Sequence, residues 1–488
     1  MNAPQDINVD QDPITDAMMK VLEAQRSDYI AQGHVSAEVR IDRMRRGMNS
    51  VAKFQDKLVD ALSADFTCRP RQLSMLTDVA ASVLPFKSGI KHVKKWMKPE
   101  KRKSMFPLGL LGAKSWIEYQ PLGVVGVISP WNFPANLTFA PMADILAAGN
   151  RVMIKPSEFT PAVSDVMAEI VADAWDEKEV SIFTGGPEVG AAFTSLPFDH
   201  MIFTGATSIA KHVMAAAAKN LVPVTLELGG KSPVIISRGA DIQQAIGRIM
   251  MGKTMNAGQI CLAPDYLMVP EENVDEIVAE IQSAVGSMYP KLLDNPEYTS
   301  VVNDRHFNRL QENLADAQAK GGDVIPCNPS NEDFDTQQGT YKIPPTLIKN
   351  ATDDMRVLQE EIFGPLLPIK TYKNFDETID YVNANPRPLA VYYFGKDQKE
   401  ERQVLERTTS GGVTVNDVIM HIMQEDLPFG GVGPAGMGSY HGYDGFKTFS
   451  HAKSIFKQTS IANVAKLGGM LPPYNDTTEK TIKMQTKI

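Results

Sequence analysis

The sequence predicts an α/β protein, a helix-covered parallel sheet followed by a second α/β unit of comparable size, and two observations carry that expectation. Between residues 151 and 227 short apolar runs alternate with helical text, and a second alternation of comparable size runs from about 235 to 415. Strands separated by helices of that length pair in parallel, with the helices on the sheet faces. A chain of 488 residues also has room for about three units at roughly 150 residues each.

The elements follow in chain order. From 16 to 66 apolar residues recur at helical spacing, through Met19, Leu22 and Tyr29 and then Val39, Met44, Val51, Leu58 and Leu62, which predicts two amphipathic helices separated by Gly33. The basic run KHVKKWMKPEKRK at 91–103 sits in an acidic chain and reads as a solvated helix face and linker. WIEYQPLGVVGVIS, 116–129, reads as strand, turn and strand. Next come strands at 152–154, 180–183, 201–203 and 222–226, with helices at 162–174 and 208–218. In the second unit, 243–251 and 274–285 read as helices and 266–269 and 366–369 as strands. Polar text from 320 to 340 reads as a surface loop.

Composition narrows the function classes. Charged residues make up 22% and apolar residues 43%, the balance of a soluble globular protein, and the net charge of −9 offers no basic footprint for nucleic acid or anionic lipid. Three cysteines, Cys68, Cys261 and Cys327, are too few and too odd in number for a disulfide framework, so a reducing compartment and at least one free thiol are expected. Residues 1–20 lack the basic and apolar regions of a signal peptide, and no apolar stretch, the tail after Gly468 included, reaches the roughly 18 residues that cross a bilayer. The expectation is a cytoplasmic, unanchored protein.

Parallel sheets bind ligands beyond the carboxyl ends of their strands. Those ends are where glycines and polar residues cluster, at 155–158, 184–186, 204–207 and 227–230. Cys261, in NAGQICLAPDY, is either a small buried hydrophobe or a nucleophile in a loop whose amides can approach a reacting atom. Glu227 leaves the strand text VPVTLEL just before paired glycines, where it is either an ion-paired surface carboxylate or a base that a ligand can reach. Asn132 lies between Trp131 and Phe133 in a segment fixed by two prolines, and its amide can donate to an oxyanion or close a turn on itself. No HxxxH or HxxH pairing indicates a metal site, and His421 and His441 read as packing or hydrogen-bonding residues.

Taken together, ISPWNFP at 128–134, KPSE at 155–158, FTGAT at 203–207, ELGGKSP at 227–233, GQIC at 258–261, EEIFGP at 360–365 and PFGG at 428–431 resemble the aldehyde dehydrogenase superfamily in content and order over about residues 15–460. CLAPDY, VNDRHF at 302–307, TVNDVIMHI at 414–422 and the text that follows PFGG resemble its class 3 branch, which includes fatty-aldehyde and bacterial coniferyl-aldehyde dehydrogenases. The resemblance implies an aldehyde dehydrogenase-like fold: a Rossmann-like NAD(P)-binding domain at 1–104 and 122–228, a catalytic α/β domain at 229–430, and a small β oligomerisation arm with bridging segments at 105–121 and 431–488.

It also implies roles. Cys261 would be the nucleophile, Glu227 the general base and Asn132 the oxyanion donor, with NAD as cofactor, NADP as the alternative, and no metal. Cofactor contacts would come from Ile128, Ser129, Pro130, Trp131, Lys155, Ser157, Glu158, Gly186, Gly205, Ala206, Ile209, Leu228, Glu361 and Phe363. Phe429 would line an apolar substrate pocket suited to coniferyl aldehyde or a medium-chain alkanal. One departure stands out: the family's Gly-x-x-x-x-Gly at the cofactor helix is Gly205 to Ala210 here, with Ala206 where many members have Ser. A homodimer is implied. The competing functions are a coenzyme A-acylating dehydrogenase, against which Glu227 argues, and a non-catalytic binding protein, which has no physical reason to keep all three polar residues.

Overall fold

The computed structural model describes residues 13–106, 108–460 and 463–486. The first twelve residues of the segment searched for a leader, and positions 107, 461, 462, 487 and 488 of the expected arm and tail, lie outside the described residues.

Six strands form the first sheet, in the order Gly436–Met437, Val224–Leu228, His200–Gly205, Val124–Ile128, Arg151–Lys155 and Val180–Ile182. All pair in parallel except Gly436–Met437, which runs antiparallel to Val224–Leu228 with Gly436 opposite Glu227. Arg151–Lys155 is buried along all five residues, because helices cover both faces of a parallel sheet and leave no side for a polar alternation. Val124–Ile128 lies between Arg151–Lys155 and His200–Gly205, so the chain leaves this strand in opposite directions on its two sides. Such a switch point opens a crevice at the strand's carboxyl end, and here the crevice begins at Ile128.

The second sheet has seven strands, in the order Asp323–Pro326, Thr346–Lys349, Leu366–Tyr372, Tyr266–Pro270, Pro233–Ile236, Ala390–Phe394 and Gly412–Val415. Only the outer Asp323–Pro326 is antiparallel. Val224–Leu228 of the first sheet passes into Pro233–Ile236 of the second through only residues 229–232. A third, three-stranded antiparallel sheet joins Glu100–Arg102, Lys114–Pro121 and Ser450–Lys457. No helix among the described residues is long and apolar enough to cross a membrane.

Several elements differ from the sequence expectation. The second expected helix is two, Ala37–Lys53 and Gln55–Asp65, broken at Phe54, whose ψ of 9° leaves the helical region. Pro187–Thr194 is a helix that hydropathy alone does not reveal, although Pro at its first position after Gly186 is a start signal. Asp304–Ala319 was also missed, because it buries only Leu310, Asn313 and Ala317, too narrow an apolar stripe to stand out. The segment 320–340, read as loop, contains the edge strand Asp323–Pro326. The first sheet carries an antiparallel outer strand, Gly436–Met437, rather than being parallel throughout.

Candidate active site

Cys261 follows a turn with an unusual backbone. Asn256, Ala257 and Gly258 have φ values of 51°, 50° and 72°, three successive left-handed residues at the end of helix Ile242–Thr254. Two of them pay the Cβ penalty of that region, the kind of strain that persists where surroundings over-determine it. At Gly258 a Cβ would collide with the Gly364 carbonyl, so the loop's path depends on glycine there. The Gln259 side chain pins the turn: its Nε2 donates to the oxygens of Asn256 (2.9 Å) and Ser300 (3.0 Å), and its Oε1 accepts from Val302 N–H (2.9 Å).

Asn132 is buried and meets this loop directly. Its Nδ2 donates to the Gln259 carbonyl at 3.1 Å, and Asn256 Nδ2 donates to the carbonyls of both Asn132 and Gln259, each at 3.2 Å. The Asn132 carbonyl also accepts from the buried Arg69 guanidinium at 2.9 Å. An amide nitrogen carries two N–H groups, so one remains for a ligand.

Glu227 sits on Val224–Leu228, one residue from its end and 3% exposed. Both carboxylate oxygens are buried without a partner among the described residues. Burial alone drives this carboxyl well above the ordinary carboxylate range. The Cys261 thiol is likewise pushed up, first by burial and then by the charges of Glu361 and Glu227. The two groups therefore share a low-polarity space, and neither is ionised cheaply. Tyr440, 1% exposed, is raised by burial and then by the charges of Glu227 and Cys261.

The expected cofactor residues fall around the first sheet's carboxyl end. Ile128 pairs with Lys155 and Phe203 in the sheet register, and Ser129 N–H continues it to the Lys155 carbonyl at 3.2 Å. Lys155 Nζ lies 3.6 Å from Glu158 and donates to the Pro156 carbonyl at 2.7 Å. Ser157 is buried, its carbonyl bonded by Ser164. Gly205 ends its strand, and Ala206 caps helix Thr207–Lys219 without a side-chain hydrogen bond. Ile209, in that helix's first turn, is 51% exposed. Gly186 is spoken for locally, its N–H donating to Glu188 Oε1 at 3.1 Å.

From the second unit, the Glu361 carboxylate lies against Gly229, where a Cβ would collide with it, and its Oε1 is buried without a partner among the described residues. Burial, with the Asp265 charge, raises Glu361 to about 8. Phe363, at φ 47°, packs edge-on to Trp131 at 5.2 Å and so joins the two units across the cleft. Leu228 is buried, its N–H donating to the Ala435 carbonyl at 3.1 Å. Phe429 is buried, stacked on His441 at 5.4 Å and edge-on to Tyr440 at 6.0 Å.

Sequence reasoning missed the residues that hold these in place. Arg309 donates to the Ile362 carbonyl (2.8 Å), and Asp265 accepts from Ile362 N–H (3.0 Å) while bonding Lys231. His306 lies 4.9 Å from Trp131, with Nδ1 unpartnered among the described residues, and burial lowers its imidazole to about 4. Lys253 is buried and lowered to about 8. VNDRHF and CLAPDY contain His306 and Asp265, but nothing in the bare sequence marks Arg69 or Asp78.

The model of the Aldehyde dehydrogenase family matches residues 8–455. Over all 488 residues of both chains, this sequence is 57% identical to the probable coniferyl aldehyde dehydrogenase of Caulobacter vibrioides. It is 54% identical over 457 residues, 93% of each chain, to the coniferyl aldehyde dehydrogenase of a Pseudomonas species. Among solved structures, the substrate-bound state of Staphylococcus aureus AldH superposes with a TM-score of 0.89 at 35% identity, covering 96% of this chain and 99% of that one.

Proposed function

The chain belongs to the aldehyde dehydrogenase family and is an NAD(P)-dependent aldehyde-oxidising enzyme, and from that premise we propose that Cys261, Glu227 and Asn132 carry the chemistry. The observation that supports this reading above the others is the Glu227 carboxylate, buried and unpartnered in the space it shares with the Cys261 thiol.

Cys261 attacks the aldehyde carbon as thiolate, the nucleophilic form. Because burial and two carboxylates oppose its ionisation, the thiol proton must pass to an acceptor, and Glu227, raised in the same direction, is matched to take it. The oxyanion is held by the free Asn132 N–H and the Cys261 backbone N–H, donors that elsewhere contribute roughly 10²- to 10³-fold each. A nicotinamide held at this cleft would supply the hydride acceptor, and loss of hydride from the Cys261 adduct would leave a thioester on Cys261. Once Glu227 has passed that first proton to solvent, it takes a proton from the water that attacks the thioester; the C–S bond breaks, the departing Cys261 thiolate takes this proton back as thiol, and the acid leaves as carboxylate after losing its own proton to solvent.

The chain's residues fit a dinucleotide. The uncapped N-terminus of Thr207–Lys219 suits a pyrophosphate, exposed Ile209 offers an apolar face to the adenine, and the orphaned Glu361 oxygen suits a ribose hydroxyl. Glu158 beside Lys155 accepts a 2′-hydroxyl and opposes a 2′-phosphate, which favours NAD over NADP. The coniferyl aldehyde dehydrogenases that the chain resembles support an aromatic, phenylpropanoid-type aldehyde as substrate, ahead of a medium-chain alkanal. Three unpaired thiols fit a reducing cytoplasm. The open outer strand Ser450–Lys457, with Phe456 51% exposed, fits pairing with a second copy, and the domain division expected above places this strand in the dimer arm.

Reduced-nicotinamide absorbance, followed with both cofactors over coniferyl, benzyl, short-chain and medium-chain aldehydes, tests the proposal. Wild type should prefer coniferyl aldehyde with NAD, and Cys261→Ala should form no reduced cofactor while still binding it. A marked preference for small polar aldehydes would overturn the substrate assignment.

A further inference from the structure

We propose that Arg69 is a positioning residue for the oxyanion site, gripping the Asn132 main chain so that its side-chain amide is held at the Cys261 loop; this rests on the oxyanion role given to Asn132 above. The Arg69–Asp78 ion pair has both side chains fully buried, with Nη2 and Oδ2 2.7 Å apart. A pair desolvated that completely adds little net stability over an apolar pair of the same shape, so its geometry is the more informative property. Nη1 of Arg69 reaches the Asn132 carbonyl at 2.9 Å, while Nη2 also meets Thr77 Oγ1 at 3.2 Å. The guanidinium is sandwiched by the rings of Phe66 and Phe133, at 4.8 and 5.0 Å, which leaves it one orientation.

Asp78 completes the grip from the other side. Its Oδ1 accepts from the N–H groups of Ala135 (3.2 Å) and Asn136 (3.5 Å), just where helix Asn136–Ala148 begins. One carboxylate thus fixes the arginine that holds residue 132 and the amides that follow it. Asp78 lies in a π-helical turn, Met75–Ala80, between helices Arg71–Ser74 and Ala81–Trp96. Such turns insert one extra residue into a helix and frequently sit at functional sites. The Asn132 carbonyl is therefore anchored by Arg69 and Asn256, and among the described residues its side-chain amide bonds the Gln259 carbonyl.

The test uses the full-length enzyme with saturating NAD and a single-turnover burst of reduced cofactor. Arg69→Met combined with Asp78→Leu removes both charges without leaving either unpaired, and Arg69→Lys keeps a cation beside Asp78 that cannot also reach the Asn132 carbonyl. Each folded variant should lose roughly 10- to 100-fold in burst rate with cofactor affinity unchanged, and neither should slow an Asn132→Ala enzyme further, because the same interaction is already gone. A normal burst rate in either folded variant, while Asn132→Ala is slow, overturns the proposal for Arg69 alone. Additive losses in the Asn132→Ala background overturn it too, since they would place Arg69 on a separate task. A normal burst in Asn132→Ala instead overturns the oxyanion reading on which it rests.

Discussion

Asn132 and Gln259 meet across the cleft, the amide nitrogen of one donating to the main-chain oxygen of the other at 3.1 Å, two residues before Cys261. The bond ties the segment following the first sheet's switch-point strand to the loop of the thiol. Its acceptor is immobile because the Gln259 side chain makes three bonds of its own.

Gln259→Ala should therefore damage both stability and rate. It strands the buried Val302 N–H and Ser300 carbonyl, at a cost of roughly 2–4 kcal/mol, and frees the loop that carries Cys261. Urea denaturation and kcat should both report it. An alanine variant with wild-type kcat would show that the loop holds its shape without this side chain.

The rate should depend on pH through Glu227. Burial raises this carboxyl above the ordinary range, and a base works only when deprotonated, so kcat should climb with pH through a midpoint higher than that of an exposed glutamate, whose value is about 4.3. Glu227→Gln should abolish this limb, slowing both the first burst of reduced cofactor, because the thiol loses its proton acceptor, and the thioester hydrolysis that follows, the latter by roughly 10²- to 10⁴-fold. Survival of the acid limb in the glutamine variant would assign it to another group.

Cofactor choice should turn on Glu158. Its carboxylate, 3.6 Å from Lys155 Nζ, opposes a 2′-phosphate, and replacing it with Gln leaves the lysine free to pair with one. The ratio of kcat/KM for NADP over NAD should rise roughly tenfold, equivalent to about 1.4 kcal/mol. No change in that ratio would mean that the 2′ position is read elsewhere.

Acid should destabilise the fold through its buried histidines. His200 is 7% exposed, bonded to Thr225 Oγ1 at 2.9 Å, and lowered by burial to about 4; His421 and His441 are lowered to about 4 as well. Above a pH of about 6.5 both folded and unfolded chains keep them neutral, and nothing is lost. As pH falls below that value the unfolded chain takes up protons first, so each residue removes up to about 1.4 kcal/mol of stability per pH unit until about pH 4. Unfolding free energies measured between pH 4.5 and 7 should show a shallower slope in His200→Asn. An unchanged slope would exclude His200 as a contributor.

What the sequence disclosed depended on how local its signal was. Val152, Met153 and Ile154 announce a buried strand because a parallel sheet needs apolar residues on both faces, and the glycines at 205, 229 and 258 announce close approaches. Arg69 and Asp78 were silent, since their importance lies in contacts 63 and 57 positions away, at Asn132 and Ala135. Helix Asp304–Ala319 was silent for a different reason: it is mostly solvated, and His306 stands out only once Trp131 is beside it. The motif order identified the cleft, whereas its supports became visible only through the fold.

The strand Gly436–Met437 that flanks Glu227, and Ser450–Lys457 beyond it, have a consequence for biosynthesis. A chain leaving the ribosome from its N-terminus has every strand of the seven-stranded sheet in hand by residue 415 but must reach 437 to finish the six-stranded sheet and 457 to finish the arm. Domains ordinarily fold in the order of their synthesis. Here the layer begun first is sealed after the one begun second, so a nascent chain truncated near residue 430 would carry Cys261 and Glu227 while leaving the strand of Glu227 as an unzipped edge.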